Sequence, residues 1–184
     1  MKTVLLVTLI LFNALSFTSN AQSIKKASLQ ASGLTCSMCS NAINKALRTI
    51  DYITDVKANI RNSSFEITFK QGAKVNFDDL KNKVEDAGFS VANLTATINF
   101  ENEPVANDEH LDIDGMTFHF LNVKSQVLSG DKTIRILDKG YVTSKEFKKN
   151  EQFTKMECYK TGTAAGCCSK HAVAAGTRIY HVTI

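Results

Sequence analysis

Residues 33–47, GLTCSMCSNAINKAL, set two thiols, Cys36 and Cys39, where one hydrophobic period gives way to another. Before them, residues 26–32 (KASLQAS) alternate Ala27, Leu29 and Ala31 with polar neighbours, the pattern of a half-buried strand. After them, Cys39, Ile43, Ala46, Leu47 and Ile50 recur at helical spacing, with Ser40, Asn44, Lys45 and Arg48 on the wet side. The thiols therefore occupy a strand-to-helix loop, with Cys39 in the first helical turn. Backbone N–H groups and the helix dipole favour a thiolate at such a place. Two thiolates at this spacing can converge on one soft cation, and sulfur ligands select Cu(I), Zn(II) or Hg(II) over hard ions. A structural zinc site wants four ligands. Residues 22–100 contain no second Cys pair to supply them, so the site suits near-linear coordination and easy hand-over to a third thiolate.

The pattern continues outward. DVKANI (residues 55–60) and FEITF (65–69) alternate on either side of the turn RNSS and read as a hairpin. Asn76 caps a second helix that turns Phe77, Leu80 and Val84 inward and ends at Gly88. LTATINF (residues 94–100) alternates as a last strand. Strand, helix, strand, strand, helix, strand is the ferredoxin-like βαββαβ order.

At these residues the sequence resembles the heavy-metal-associated domain family, over about residues 26–100. The family motif G-M-[TD]-C-x-x-C stands here as Gly33, Leu34, Thr35, Cys36, Ser37, Met38 and Cys39, and EDAGFSV (residues 85–91) precedes the last strand as in relatives. The resemblance implies that Cys36 and Cys39 are metal ligands, that Leu34 packs beneath the loop in place of Met, and that Phe89 stands near a ring that shields the site. Members carry copper to ATPases, regulate such pumps, or bind mercury in the periplasm. Two other readings of the same pair stay open. One is a thiol–disulfide redox centre, against which stand the absence of Trp and a Pro104 remote from the motif. The other is a closed disulfide.

Residues 101–110, ENEPVANDEH, carry four carboxylates and the single Pro of the chain without periodicity, and read as a linker over 101–108. Beyond it, HLDIDGMTFHF, KTIRIL, GYVT and TRIYHVTI are short strand-like runs, expected to form a small antiparallel, OB-like β-rich domain over 109–184. TSKEFKKNEQ (residues 143–152) reads as a loop or an exposed helix. The remaining thiols, Cys158, Cys167 and Cys168, lie near His171, and CCSKHAVAA (residues 167–175) reads as a short helix. On a helix His171 shares a face with Cys167 or Cys168, so these residues with Cys158 can form a second metal site. A disulfide from Cys158 to either neighbour is the competing reading. His110, His119 and His181 lie in strand-like or linker contexts and read as ordinary surface or core histidines.

The N-terminus offers Lys2, an apolar run at residues 4–12 and small residues at Ser19 and Ala21. This is the pattern of a signal peptide over 1–21, with cleavage near Ala21 into the periplasm or the exterior. A formal charge of +4, spread along the chain without a basic block, gives no support to nucleic-acid binding. No later apolar run is long enough to span a membrane. The sequence thus describes an exported, non-enzymatic protein of two α+β and β-rich domains that binds Cu(I), with Hg(II) or Zn(II) behind. Its expected partners are a metal-transporting membrane protein or another thiol-bearing carrier. A linker at 101–108 would let its two sites meet and exchange the ion.

Overall fold

A computed structural model describes residues 23–34, 36–166, 168 and 173–184. The leader expected at 1–21, Cys167, His171 and most of the helix expected at 167–175 lie outside the described residues.

The first half forms as its periodicity dictates. Strand β1 (Ser23–Ser32) buries Ala27, Leu29 and Ala31, and helix α1 (Ser37–Leu47) buries Ile43 and Leu47. Strands β2 (Ile53–Asn59) and β3 (Ser64–Phe69) make the hairpin, with Phe65, Ile67 and Phe69 inside. Helix α2 (Phe77–Asp86) is capped by the Asn76 side chain, which accepts from the Asp78 N–H, and Phe77, Leu80 and Val84 are buried. The order β2-β3-β1-β4 gives the ferredoxin-like sheet.

The second half departs from expectation at the supposed linker. Strand β4 runs from Ser90 to Val105, so residues 101–105 continue it instead of breaking it. Past Phe100 it shifts register, with Asn102 in the left-handed region (φ 55°), and then pairs Glu103, Pro104 and Val105 with Leu128, Val127 and Gln126. A bulge that tolerates proline conceals a strand from pattern reading, because the alternation restarts out of phase. Strands β5 (Glu109–Ile113), β6 (Met116–Phe120), β7 (Gln126–Ile136) and β8 (Ile179–Thr183) then extend the same sheet, in the order β2-β3-β1-β4-β7-β8-β6-β5. This is an open sheet with edges at β2 and β5, not a closed OB-like barrel, and its β6–β8 pair is parallel. GYVT forms no strand: Tyr141 is buried as a core side chain, and Lys139 and Val142 make an isolated bridge. The polar run after it is helix α3 (Ser144–Asn150), and α4 (Cys158–Thr161) follows, ended by Gly162 at φ 74°.

Helix α2 touches both halves of the sheet. Phe77 meets Tyr180 of β8 edge-on at a ring distance of 5.3 Å, and Phe118 of β6 at 6.4 Å. Beside it, Asp78 accepts from Arg178 Nε at 2.7 Å and from the Tyr141 hydroxyl at 2.7 Å. Burial by itself would raise the Asp78 pKa, but the hydrogen bonds from Arg178 and Tyr141 and the Arg178 charge outweigh it and hold the carboxyl below the usual range. A depressed carboxylate stabilises the fold above its unfolded pKa and loses that contribution as pH falls through the folded value. Asp78→Ala should therefore cost roughly 2–3 kcal/mol in urea unfolding at neutral pH. The gap from the parent should narrow below about pH 4. A gap that stays constant with pH would show that the carboxylate charge is not what joins the two halves.

Candidate metal centres

The first pair sits at an exposed turn built by Gly33 (φ 81°), which swings the chain from β1 toward α1 with Phe89 packed alongside. Leu34 is partly buried against the core, as the resemblance implied, and Phe89 is likewise partly buried against the core. Cys36 is the N-cap of α1, and its sulfur accepts from the Cys39 N–H at 3.4 Å. The two sulfurs lie 2.8 Å apart and are not bonded, with Cys36 exposed and Cys39 partly exposed. Hydrogen bonds first from the Cys39 thiol and then from its backbone N–H hold the Cys36 pKa below the ordinary thiol value. Among the described residues, no group of three potential ligands includes either thiol. With metal–sulfur bonds of about 2.3 Å, a linear ion needs its sulfurs about 4.6 Å apart. The pair must spread to accept one, which its exposed position allows.

Cys158, at the start of α4, is fully buried, and Cys168 is buried in the same small apolar cluster with Ala164 and Ile179. The expected companions Cys167 and His171 lie outside the described residues. The described groups brought to Cys158 are instead the histidines that read from sequence as ordinary. Its sulfur is 3.7 Å from His119 Nδ1. The ring of His110 stacks on that of His119 at 4.3 Å and 13°. The ligand atoms of His110, His119 and Cys158 all fall within 4.8 Å of one another. His119 Nε2 is 3.0 Å from Asp108 Oδ1, and because a carboxylate only accepts, that nitrogen carries the proton. His181 is the next ring along, 5.1 Å from His119, and its Nδ1 donates to Asp138 Oδ1 at 2.6 Å. Burial first, then the neighbouring His181 and His110, push the His119 pKa down to about 3, so its imidazole is neutral.

A local signal for this cluster exists in the sequence. Asp114 and Gly115 both have positive φ (54° and 74°), the type I′ turn that Asp-Gly favours between strands. A two-residue loop fixes the register, and His110 falls directly opposite His119. The parallel pairing that sets His181 beside His119 has no such local mark.

Residues 28–90 match the heavy-metal-associated domain. The chain is 30% identical over 63 residues to the copper chaperone CopZ of Staphylococcus aureus, a match that covers 34% of this chain and 91% of the chaperone. It is 27% identical over 75 residues to a probable copper-exporting P-type ATPase of Archaeoglobus fulgidus, covering 41% of this chain but only 9% of the ATPase. The solved yeast copper transporter domain CCC2A is 31% identical, with 35% of this chain and 88% of that domain covered and a TM-score of 0.33.

The lowered Cys36 pKa should be visible in reactivity. Alkylation of the reduced protein by iodoacetamide, followed by peptide mass spectrometry, should label Cys36 with a pH midpoint below that of an ordinary thiol. Cys158 should stay protected until the protein unfolds. A Cys36 midpoint at or above the ordinary thiol value would refute the hydrogen-bonded arrangement.

Proposed function

Since the chain belongs, through residues 28–90, to the heavy-metal-associated domain family, we propose that it is a non-enzymatic carrier that binds Cu(I) through Cys36 and Cys39. The observation that carries this reading is the convergence of two unbonded thiols at an exposed helix N-terminus, with no third ligand joining them among the described residues. Two soft ligands satisfy Cu(I), or Hg(II), in near-linear coordination, whereas Zn(II) would be left short of its usual four. An ion held so sparsely exchanges by associative attack: an incoming thiolate makes a third bond before either original bond breaks. Met38, 81% exposed between the two thiols, offers an apolar contact that a docking partner would cover. The partner proposed is another thiol-bearing metal carrier or a metal-transporting membrane protein. The copper-exporting ATPase among the relatives supports this choice. Among the described residues no helix is long and apolar enough to cross a membrane.

The same 2.8 Å separation supports a second reading, because a small approach of the sulfurs closes a disulfide. Oxidation and metal loading then compete for one pair, and a redox protein would use the pair without an ion. Titration of the reduced chain under anaerobic conditions separates the two. Against a competing chelator, the Cys36→Ser/Cys39→Ser variant should bind one Cu(I) fewer per chain than the parent, with its circular dichroism unchanged. The affinity of that lost equivalent should correspond to a deficit of at least about 100-fold, or about 3 kcal/mol. Unchanged stoichiometry would remove the assignment.

Export is proposed on the pattern at Lys2, residues 4–12, Ser19 and Ala21. The mature protein should then begin near Gln22 when its N-terminus is sequenced by mass spectrometry from periplasmic or secreted material. Intact chain confined to the cytoplasm would count against it.

A further inference from the structure

We propose that the C-terminal half of the sheet encloses a second metal site, formed by His110, His119 and Cys158, that takes one d10 thiophilic cation, Cu(I) or Zn(II). The backbone builds the donor set. The Asp114–Gly115 turn places His110 opposite His119 across β5 and β6, and the β6–β8 pairing places His181 opposite His119 in turn. Three imidazoles thus stand in a row on one face of adjacent strands, and α4 brings Cys158 against the middle one.

The hydrogen bonding of His119 is that of a ligand. Asp108 accepts a hydrogen bond from the Nε2–H, which leaves the Nδ1 lone pair facing the Cys158 sulfur. A metal-bound histidine characteristically donates its remote N–H to a carboxylate in this way, which fixes the tautomer and raises the basicity of the ligating nitrogen. On binding, the Cys158 thiol gives up its proton to solvent and a sulfur–metal bond replaces the sulfur–hydrogen bond. His181 has the matching arrangement: Nδ1 donates to Asp138, and among the described residues its buried Nε2 has no hydrogen-bond partner. A His181 ring packed only for bulk would be cheaper as Leu or Ile, since a buried polar nitrogen without a partner costs free energy.

Charge and size select the cation. One thiolate and neutral imidazoles make a neutral unit with Cu(I) and a +1 unit with Zn(II), which the Asp108 carboxylate offsets. Ca(II) and Mg(II) demand several oxygen ligands that this set does not offer. Metal–nitrogen and metal–sulfur bonds of about 2.0 and 2.3 Å require donors roughly 3.3–3.8 Å apart. The present limit of 4.8 Å therefore closes by turning the His110 ring out of its stack. Access runs by a cleft of about 220 Å³ lined by His110, Asp112, Thr117 and Thr177. A cation passes there, while the full burial of Cys158 excludes the larger substrate that a nucleophilic thiol would need.

The test uses the full chain carrying Cys36→Ser/Cys39→Ser, so its outcome does not depend on the first site. The reduced protein is titrated anaerobically with Cu(I) in one arm and Zn(II) in the other, and the loaded sample is examined by X-ray absorption fine structure. One tight equivalent in either arm, with at least two imidazole nitrogens and one sulfur around the ion, is the expected result, and the tighter arm names the cation. Adding Asp108→Asn should weaken binding about 10–100-fold. No bound equivalent, or two or more sulfurs around the ion, would overturn the proposal, the latter by moving the site to the Cys158, Cys167 and Cys168 thiols. His119→Gln supplies a further check, because retained affinity in that variant overturns it as well. If that variant does not fold, the spectrum of the parent double variant decides.

Discussion

Strand β4 hydrogen-bonds to β1 along one edge and to β7 along the other. On the β1 side it completes a four-stranded sheet that two helices cover. On the β7 side it is the template from which every later strand is added. Its length does this: sixteen residues reach well past the point where the ferredoxin-like order is complete. The inward side chains Leu94, Ala96, Ile98 and Phe100 keep one buried face continuous over both halves. Helix α2 then locks that face from above, with Phe77 against Phe118 and Tyr180 and Asp78 held by Arg178 and Tyr141. Each candidate metal site inherits its rigidity from this frame, the first from the β1–α1 junction and the second from the β5, β6 and β8 row.

How far the sequence could be read follows from where its signals are local. Alternation at Ala27, Leu29 and Ala31, at Phe65, Ile67 and Phe69, and at Leu94, Ala96 and Ile98 is intact because each strand has one wet and one buried face. All of these positions are buried in the structure. The Cys36/Cys39 pair is legible for the same reason, since a contiguous motif needs no tertiary partner to be noticed. Legibility fails where the meaning of a residue depends on a distant one. The strand at 101–105 is hidden by a bulge and a proline, and Tyr141 is a core residue whose hydroxyl donates to Asp78, sixty-three positions away. The histidines are the sharpest case. Each looks like an ordinary strand residue until cross-strand register lines them up, and only the Asp-Gly turn gives that register away for one pair.

The two sites differ in how they meet solvent, and that difference sets what each can do. Cys36 and Cys39 lie at a surface turn where an incoming thiolate can attack, so an ion there would be held only as long as no better ligand arrived. The His119 and Cys158 donors are completely buried, so exchange requires the cleft beside His110 or a local opening of the fold. Exposure favours transfer, and enclosure favours retention. In an oxidising compartment the contrast sharpens, because the exposed pair is open to disulfide closure while burial shields Cys158 from oxidants.

Whether the ion passes between the sites within one molecule is decided by the sheet. A flexible linker at 101–108 would have let two tethered domains collide and exchange ligands. Glu103, Pro104 and Val105 are instead β-paired to β7, and the strands between the sites form one hydrogen-bonded surface. In that surface β4, β7 and β8 lie between β1, which leads to Cys36, and β6, which carries His119. Four strand-to-strand steps at about 4.8 Å amount to roughly 19 Å. Ligand exchange needs incoming and outgoing donors in contact with the same ion, within a few ångströms, and a continuous sheet cannot fold over to supply that contact. Any traffic between the two centres therefore requires a second molecule, either a carrier that visits both faces or another copy whose exposed thiols reach the cleft at His110. The continuity that stabilises the fold thus separates the two sites.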